Sequence, residues 1–465
     1  MSESLALRPR PRVLVLLAVA LAGCGPVLVW HGRSPDRARE ARLLEEGGAQ
    51  RVVVDRSPHP AFDAVAISQL RWAGRAVVYP ARSQDRWHLV ADGVAGPAFE
   101  GLGEVVTHGD RVAYVARDGE GWRVVAGGEP GPVFQSIRRS SLRFVGDAAR
   151  LLYVGRDERG EHVVIDGEAG EAFDQIEHLR VGAKGTMIAY VGWARDGASV
   201  VVEREVRARY DEVLALEVAD HEPRWAALVT RRGAGAVVHD ANVIAERPGL
   251  MDVRIAAEGT HVAFTAADGG QEALFVDGRE VARHRAIEEM LFVPCIGALV
   301  YVARDADGVR VVHDGVRGPR VTRVASLVAS PAGHFGYVAE HGAGRLVMID
   351  GALRFRGEWA GALVLAERGD RYAFVTRHGA RRFVVTPDRS SPIGRPFVDT
   401  LVLDPEGAHW AIAIADRRTR RVEVWVDGAA VAPLDLSEVA AGVTQERDPV
   451  EVVRTIVAGE LARVR

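Results

Sequence analysis

The sequence predicts an all-β chain, a β-propeller array of about ten four-stranded units of roughly 37 residues each, followed by a C-terminal helix. Three observations predict it. A short apolar segment ending in Asp, commonly Asp-Gly, recurs at Asp55, Asp92, Asp166, Asp277, Asp314, Asp350 and Asp427, with degenerate copies at Gly127, Asp240 and Asp388 and near Arg204. From Asp55 to Asp427 is 372 residues in ten steps, so the period is about 37, and self-similarity at such a period marks a repeat architecture. A second marker, aromatic in most copies, keeps the same step at Tyr79, Tyr114, Tyr153, Tyr190, Phe264, Tyr301, Tyr337 and Phe374. Finally, each unit holds three or four short apolar segments separated by turn residues, which is strand rather than helix patterning.

One unit shows the grammar. It runs Ser326-Leu327-Val328-Ala329-Ser330, the turn Pro331-Ala332-Gly333, Phe335-Gly336-Tyr337-Val338-Ala339, the turn His341-Gly342-Ala343-Gly344, then Arg345-Leu346-Val347-Met348-Ile349. Asp350-Gly351 supplies the next turn, since Gly tolerates the positive φ that tight hairpins need. A weaker fourth strand follows around residues 353–355. Four strands per repeat of this length is the signature of a propeller blade.

At these residues the chain resembles the WD40-like and TolB-like propeller repeats of bacterial envelope proteins. The likeness lies in the turns Ser330-Pro331-Ala332-Gly333 and Asp404-Pro405-Glu406-Gly407, each followed by an apolar strand, a polar hairpin and the Asp-Gly turn. The family's fuller turn has Asp before Gly, where this chain has Ala332 and Glu406, and the copy Gly182-Ala183-Lys184-Gly185 lacks both Pro and Asp. The resemblance implies the fold and not an activity, because propellers host unrelated functions. About ten units exceed the usual four to eight blades of a ring. Residues 51–443 therefore form one large ring or two smaller ones, with the degenerate stretch 201–246 as the candidate boundary. Segments 51–55 and 62–72 precede the first complete unit and are placed to pair with the last units and close a ring.

The amino terminus has the three-part layout of a secretory signal: Arg8, Arg10 and Arg12, an apolar core over 13–21, then small residues. Leu21-Ala22-Gly23-Cys24 resembles the lipobox of bacterial lipoproteins. The resemblance implies that Leu21, Ala22 and Gly23 are the signal-peptidase recognition residues, that residues 1–23 are removed, and that Cys24 is lipidated. Buried acyl chains, at about 0.8 kcal/mol per methylene, would hold the body on a membrane. Gly25 rather than Asp after the cysteine implies, by the same resemblance, sorting to an outer membrane facing the periplasm or exterior. The alternative is an uncleaved anchor, because 13–30 is an uncharged run of 18 residues, near the lower limit for a span. Both place the body outside the cytoplasm, since positive charge before the apolar run keeps the amino end inside. Residues 24–50 read as a polar tether with a short helix after Ser34.

Residues 444–465 read as the helix. Asp448-Pro449-Val450-Glu451 supplies a cap, a first-turn Pro and an early acid. Val450, Val453, Ile456, Val457, Leu461 and Val464 then form one apolar stripe, which fits packing against the propeller.

Composition narrows the functions. The balance of 59 basic to 63 acidic residues, a net of -4, gives no reason to expect nucleic acid. Beyond Cys24 there is only Cys295, within an apolar stretch that predicts a buried free thiol. The fifteen histidines show no zinc-protease spacing. The segments Arg304-Asp305-Ala306-Asp307-Gly308 and Arg117-Asp118-Gly119-Glu120-Gly121 resemble fragments of calcium loops but are better explained as hairpin turns. Trp72, Trp87, Trp122 and Trp225 are assigned to packing. No nucleophile elbow, phosphate loop or paired-cysteine motif occurs, so no catalytic residue, cofactor or metal is predicted. The expected function is a membrane-anchored binding module for an envelope protein, peptide or glycan. The alternative is a propeller hydrolase or lyase with a dispersed site; a purely structural role in envelope assembly is the third reading.

Overall fold

A computed structural model describes residues 26–34, 38–416 and 421–433, with 450, 453–454, 456–458 and 461 near the carboxy end. Among these residues the chain forms eleven antiparallel sheets, each built from one contiguous stretch of sequence. Sheet 1 is β1 (Val27–Arg33), β2 (Glu40–Glu46), β3 (Ala49–Val54) and β4 (Ser57–Phe62), hydrogen-bonded in that order. The same four-strand meander, the blade of a propeller, repeats through sheets 2 (64–95), 3 (101–130), 4 (136–169), 5 (175–210), 6 (212–246), 7 (250–284), 8 (286–317), 9 (323–357), 10 (359–393) and 11 (395–433). In sheets 2, 4 and 11 the first strand is split into two pieces that pair with the same second strand.

Several expectations are corrected here. The 24–50 stretch is not a tether, because β1 and β2 occupy most of its described residues. Its alternation of apolar and charged residues is that of a strand with one bare face. Residues 51–55 and 62–72 pair within sheets 1 and 2 rather than with the last units. Nor does a boundary fall at 201–246, since the buried cluster of Met187, Val200, Leu216, Trp225 and Val238 runs across sheets 5 and 6.

The Asp of each repeat does more than turn the chain. Its backbone sits at positive φ, as at Asp277 (50°) and Asp350 (49°), a region short polar side chains tolerate. Its carboxylate then reaches back to the start of the second strand, accepting the amides of Val77, Leu151, Trp225, Val262, Leu299, Phe335 and Trp410 at 2.8–3.3 Å. The other oxygen pairs with the residue just before that amide: Arg39 with Asp55, Arg150 with Asp166, Arg224 with Asp240, His261 with Asp277 and His334 with Asp350. Most repeats therefore carry a latch that ties the turn to their own second strand; the copy at Gly127 has no carboxylate, and Asp388 pairs with Arg371. The degenerate copy near Arg204 keeps it, with Glu203 accepting the Ile188 amide at 3.0 Å.

Packing is between sequence neighbours. Ten buried clusters each join one sheet to the next, from Leu43 and Val52 against Val77 and Tyr79 at sheets 1 and 2 to Val375 against Trp410 and Ile412 at sheets 10 and 11. The two ends differ. The far face of sheet 11, Ala411, Ala413, Val424 and Val426, is covered by helical Val457 and Leu461, with Val453 and Ile456 at the edge. Sheet 1 instead presents Arg42, Leu44, Arg51 and Val53 outward, none of them buried. A closed ring would have packed these two faces on each other; the array ends in a helical cap at one side and a bare sheet at the other. Of the predicted stripe, Val450 is exposed and Val464 lies outside the described residues, as do Asp448 and Pro449. No helix among the described residues is long and apolar enough to cross a membrane.

Candidate functional site

The junctions between sheets are built on an aromatic pair. Phe62, Phe99, Phe134 and Phe173, at the outer edge of sheets 1 to 4, meet Tyr79, Tyr114, Tyr153 and Tyr190 of the following sheet edge-on, with centroids 6.1–6.4 Å apart. That geometry places the positive ring edge on the negative face. The Phe positions form a third marker that continues at Tyr210, His284 and Val321, and the sequence reading missed it. Its signal was present as a recurring aromatic some 37 residues apart, hidden because its segment is only a bridge in several copies, such as Trp87 with Phe99 and Glu161 with Phe173.

The hydroxyls of Tyr153, Tyr190 and Tyr337 end at glycines that follow the preceding sheet, Gly131, Gly170 and Gly318. A Cβ on Gly170 or Gly318 would stand 2.9 Å from the hydroxyl of Tyr190 or Tyr337, so neither position has room for a side chain. Burial pushes the Tyr337 phenol up to about 12 and raises Tyr79, Tyr153 and Tyr190 further, because the charged form is the one desolvation disfavours. An open groove lies along one such junction, between sheets 3 and 4. It encloses about 340 Å³ and is lined by Val124, Pro130, Pro132, Tyr153 and Glu168.

One cluster has the layout of an acid–base relay. His284 is 2% exposed, with Nδ1 at 2.9 Å from Asp305 and Nε2 at 3.4 Å from the Tyr301 hydroxyl. Burial, the largest influence, would raise the Asp305 carboxyl, but the His284 bond and charge, the Arg285 amide and the Arg317 charge together hold it below its ordinary value. Yet His284 occupies the third-marker position and packs its ring on Tyr301 at 5.7 Å, as Phe does elsewhere. Burial withholds it from substrate, and packing accounts for it. The two calcium-like segments are hairpins whose acids are engaged by arginine: Arg123 with Asp118 and Glu120, and Arg310 with Asp307.

The predicted site residues Leu21, Ala22, Gly23 and Cys24 lie outside the described residues. Cys295 is corrected: it is exposed and donates its thiol to the Pro331 carbonyl at 2.9 Å. Val293 is the last core residue of its apolar run, and the chain then turns through Cys295 and Gly297, both at φ 64°. Of the tryptophans, Trp225 is buried, while Trp72 and Trp122 pack partly against clusters at sheets 1–2 and 3–4.

No family model and no curated protein matches the chain. Solved structures do. The Dos1 propeller is 8% identical over 63% of this chain and 92% of its own, with a TM-score of 0.32. The β-propeller domain of the Trilobed protease from Pyrococcus furiosus is 10% identical over 63% and 94%, TM-score 0.29. A prolyl endopeptidase structure is 13% identical over 70% of this chain and 54% of its own, TM-score 0.32. The sheet topology above identifies the chain as an all-β protein of propeller-type repeats.

Proposed function

We propose that the protein is a lipoprotein, anchored through Cys24 outside the cytoplasm, whose repeat array is a binding module for an envelope protein, peptide or glycan. The start of β1 at Val27 carries the anchor reading. That strand takes residues 27–30 from the uncharged run of 18, leaving 13–26, which is 14 residues and the length of a signal core rather than a span. Gly25 after the cysteine favours an outer membrane.

The binding reading is supported by the outer strand edges. Val94, Val281, Val316 and Leu353 are 53–73% exposed, one on each of four sheets, beside edges open to an added strand. Among the described residues, the His284 cluster that most resembles a relay is buried, which does not favour the enzyme alternative. The test is intact mass and membrane partition of wild type against Cys24→Ser. Acyl mass on the wild type, with release of the variant to the soluble fraction, is expected. An unmodified Cys24 with residues 1–23 retained would overturn the anchor.

A further inference from the structure

The bare end of the array is also the end nearest Cys24. We infer that the outward face of sheet 1 lies directly on the lipid surface, so that the protein stands on the membrane on its first sheet instead of floating on a leash. This rests on the lipid-anchor reading above. Only Gly25 and Pro26 separate Cys24 from Val27, three steps that a fully extended chain spans in about 10 Å. An acylated Cys24 sits in the interface, so β1 is held within the depth that interfacial segments occupy, about 5–10 Å.

The face that reaches this depth is suited to it. At the start of β1, Leu28 is 57% exposed. Leu28 pairs across the strands with Leu44, and Leu44 points away from sheet 2, because its neighbour Leu43 is the one buried there. Leu28, Leu44 and Val53 thus share the outward face with Arg42 and Arg51, whose long stems can lie on apolar surface while their charges reach headgroups. The charge on this end is balanced: Arg42 is bonded to Glu40, and Glu45 and Glu46 stand at the same hairpin as Arg51. The partner is therefore a zwitterionic bilayer surface rather than a polyanionic one. The corresponding face at the far end is already covered by Val457 and Leu461.

The full-length protein, isolated from membranes in a Cys295→Ser background, would carry an environment-sensitive fluorophore through either Leu28→Cys or Val316→Cys. Both positions are exposed, and Val316 lies on sheet 8. In phosphatidylcholine vesicles containing a quencher on the acyl chains, several-fold stronger quenching at residue 28 than at 316, unchanged between low and high salt, is the expected result. An acylated protein quenched equally at both sites overturns the inference alone. Shielding at residue 28 that follows protein density and not lipid quenching also overturns it, since it marks a second copy on this face. Absence of acyl mass on Cys24 overturns both the inference and the reading beneath it.

Discussion

Asp350 combines a left-handed backbone, a bond to the Phe335 amide at 3.0 Å and a pair with His334 at 2.8 Å. Replacing it separates these roles. Asp350→Ala leaves a strand amide without its acceptor, about 1–3 kcal/mol, and puts Ala in the left-handed region, about 1–2 kcal/mol more. Asp350→Asn keeps the backbone and the acceptor and loses only a partly exposed ion pair, within about 1 kcal/mol. Hydrogen exchange at Phe335 should accelerate strongly in the first and little in the second; equal acceleration would assign the effect to charge. The turn role of this Asp was legible because Asp-Gly is local chemistry. Its latch was not, because the partner amide lies 15 residues upstream and periodicity names positions, not bonds. Tyr337 gives a second test. Its folded phenol, near 12, lies above the unfolded value of about 10, so its contribution is complete below about pH 10 and is lost as pH rises through the folded value. An alkaline titration should show the buried phenols ionising only as strands are lost. Ionisation near pH 10 with intact strands would contradict the burial.

Among the elements, the terminal ones carry the most information. Val457 and Leu461 are almost fully buried on sheet 11, so Leu461→Ala should cost about 2–5 kcal/mol of local docking. Exchange over residues 402–426 should rise while sheets 1 to 9 keep their protection. If the loss spreads evenly, the helix is not a cap. This stripe was legible because helical spacing shows in a short window. By contrast β2 was not, since Glu40, Arg42, Glu45 and Glu46 surround its Leu43-Leu44 pair, and a half-bare strand with charged residues on its open side resembles linker composition. Cys295 misled for the opposite reason: an apolar run continued past the last core residue into a turn.

For the whole molecule, the period of about 37 anticipated the repeat, and the eleven marker positions from Asp55 to Asp427, ten of them acids and one Gly127, correspond to the eleven sheets. Whether the array closes was invisible in the pattern, because closure depends on what two distant faces carry. With interfaces only between neighbours, unfolding should lack a single cooperative transition. Hydrogen exchange should proceed inward from sheet 1, whose outer face is bare, with sheets 4 to 8 last. Simultaneous exchange of all eleven would refute the linear arrangement.

Amide latches that tie a turn to its own sheet also bear on how the protein would respond to force. If the chain is held at one end and pulled further along, a sheet can be lost with breakage only of its own bonds and those to its immediate neighbours, such as Arg39 with Asp92 or Arg150 with Glu203. Each repeat of about 37 residues would then release about 130 Å of slack. In a single-molecule trace this would be a ladder of equal steps, and in an envelope under strain it would be an extensible cord that rewinds sheet by sheet when the load falls.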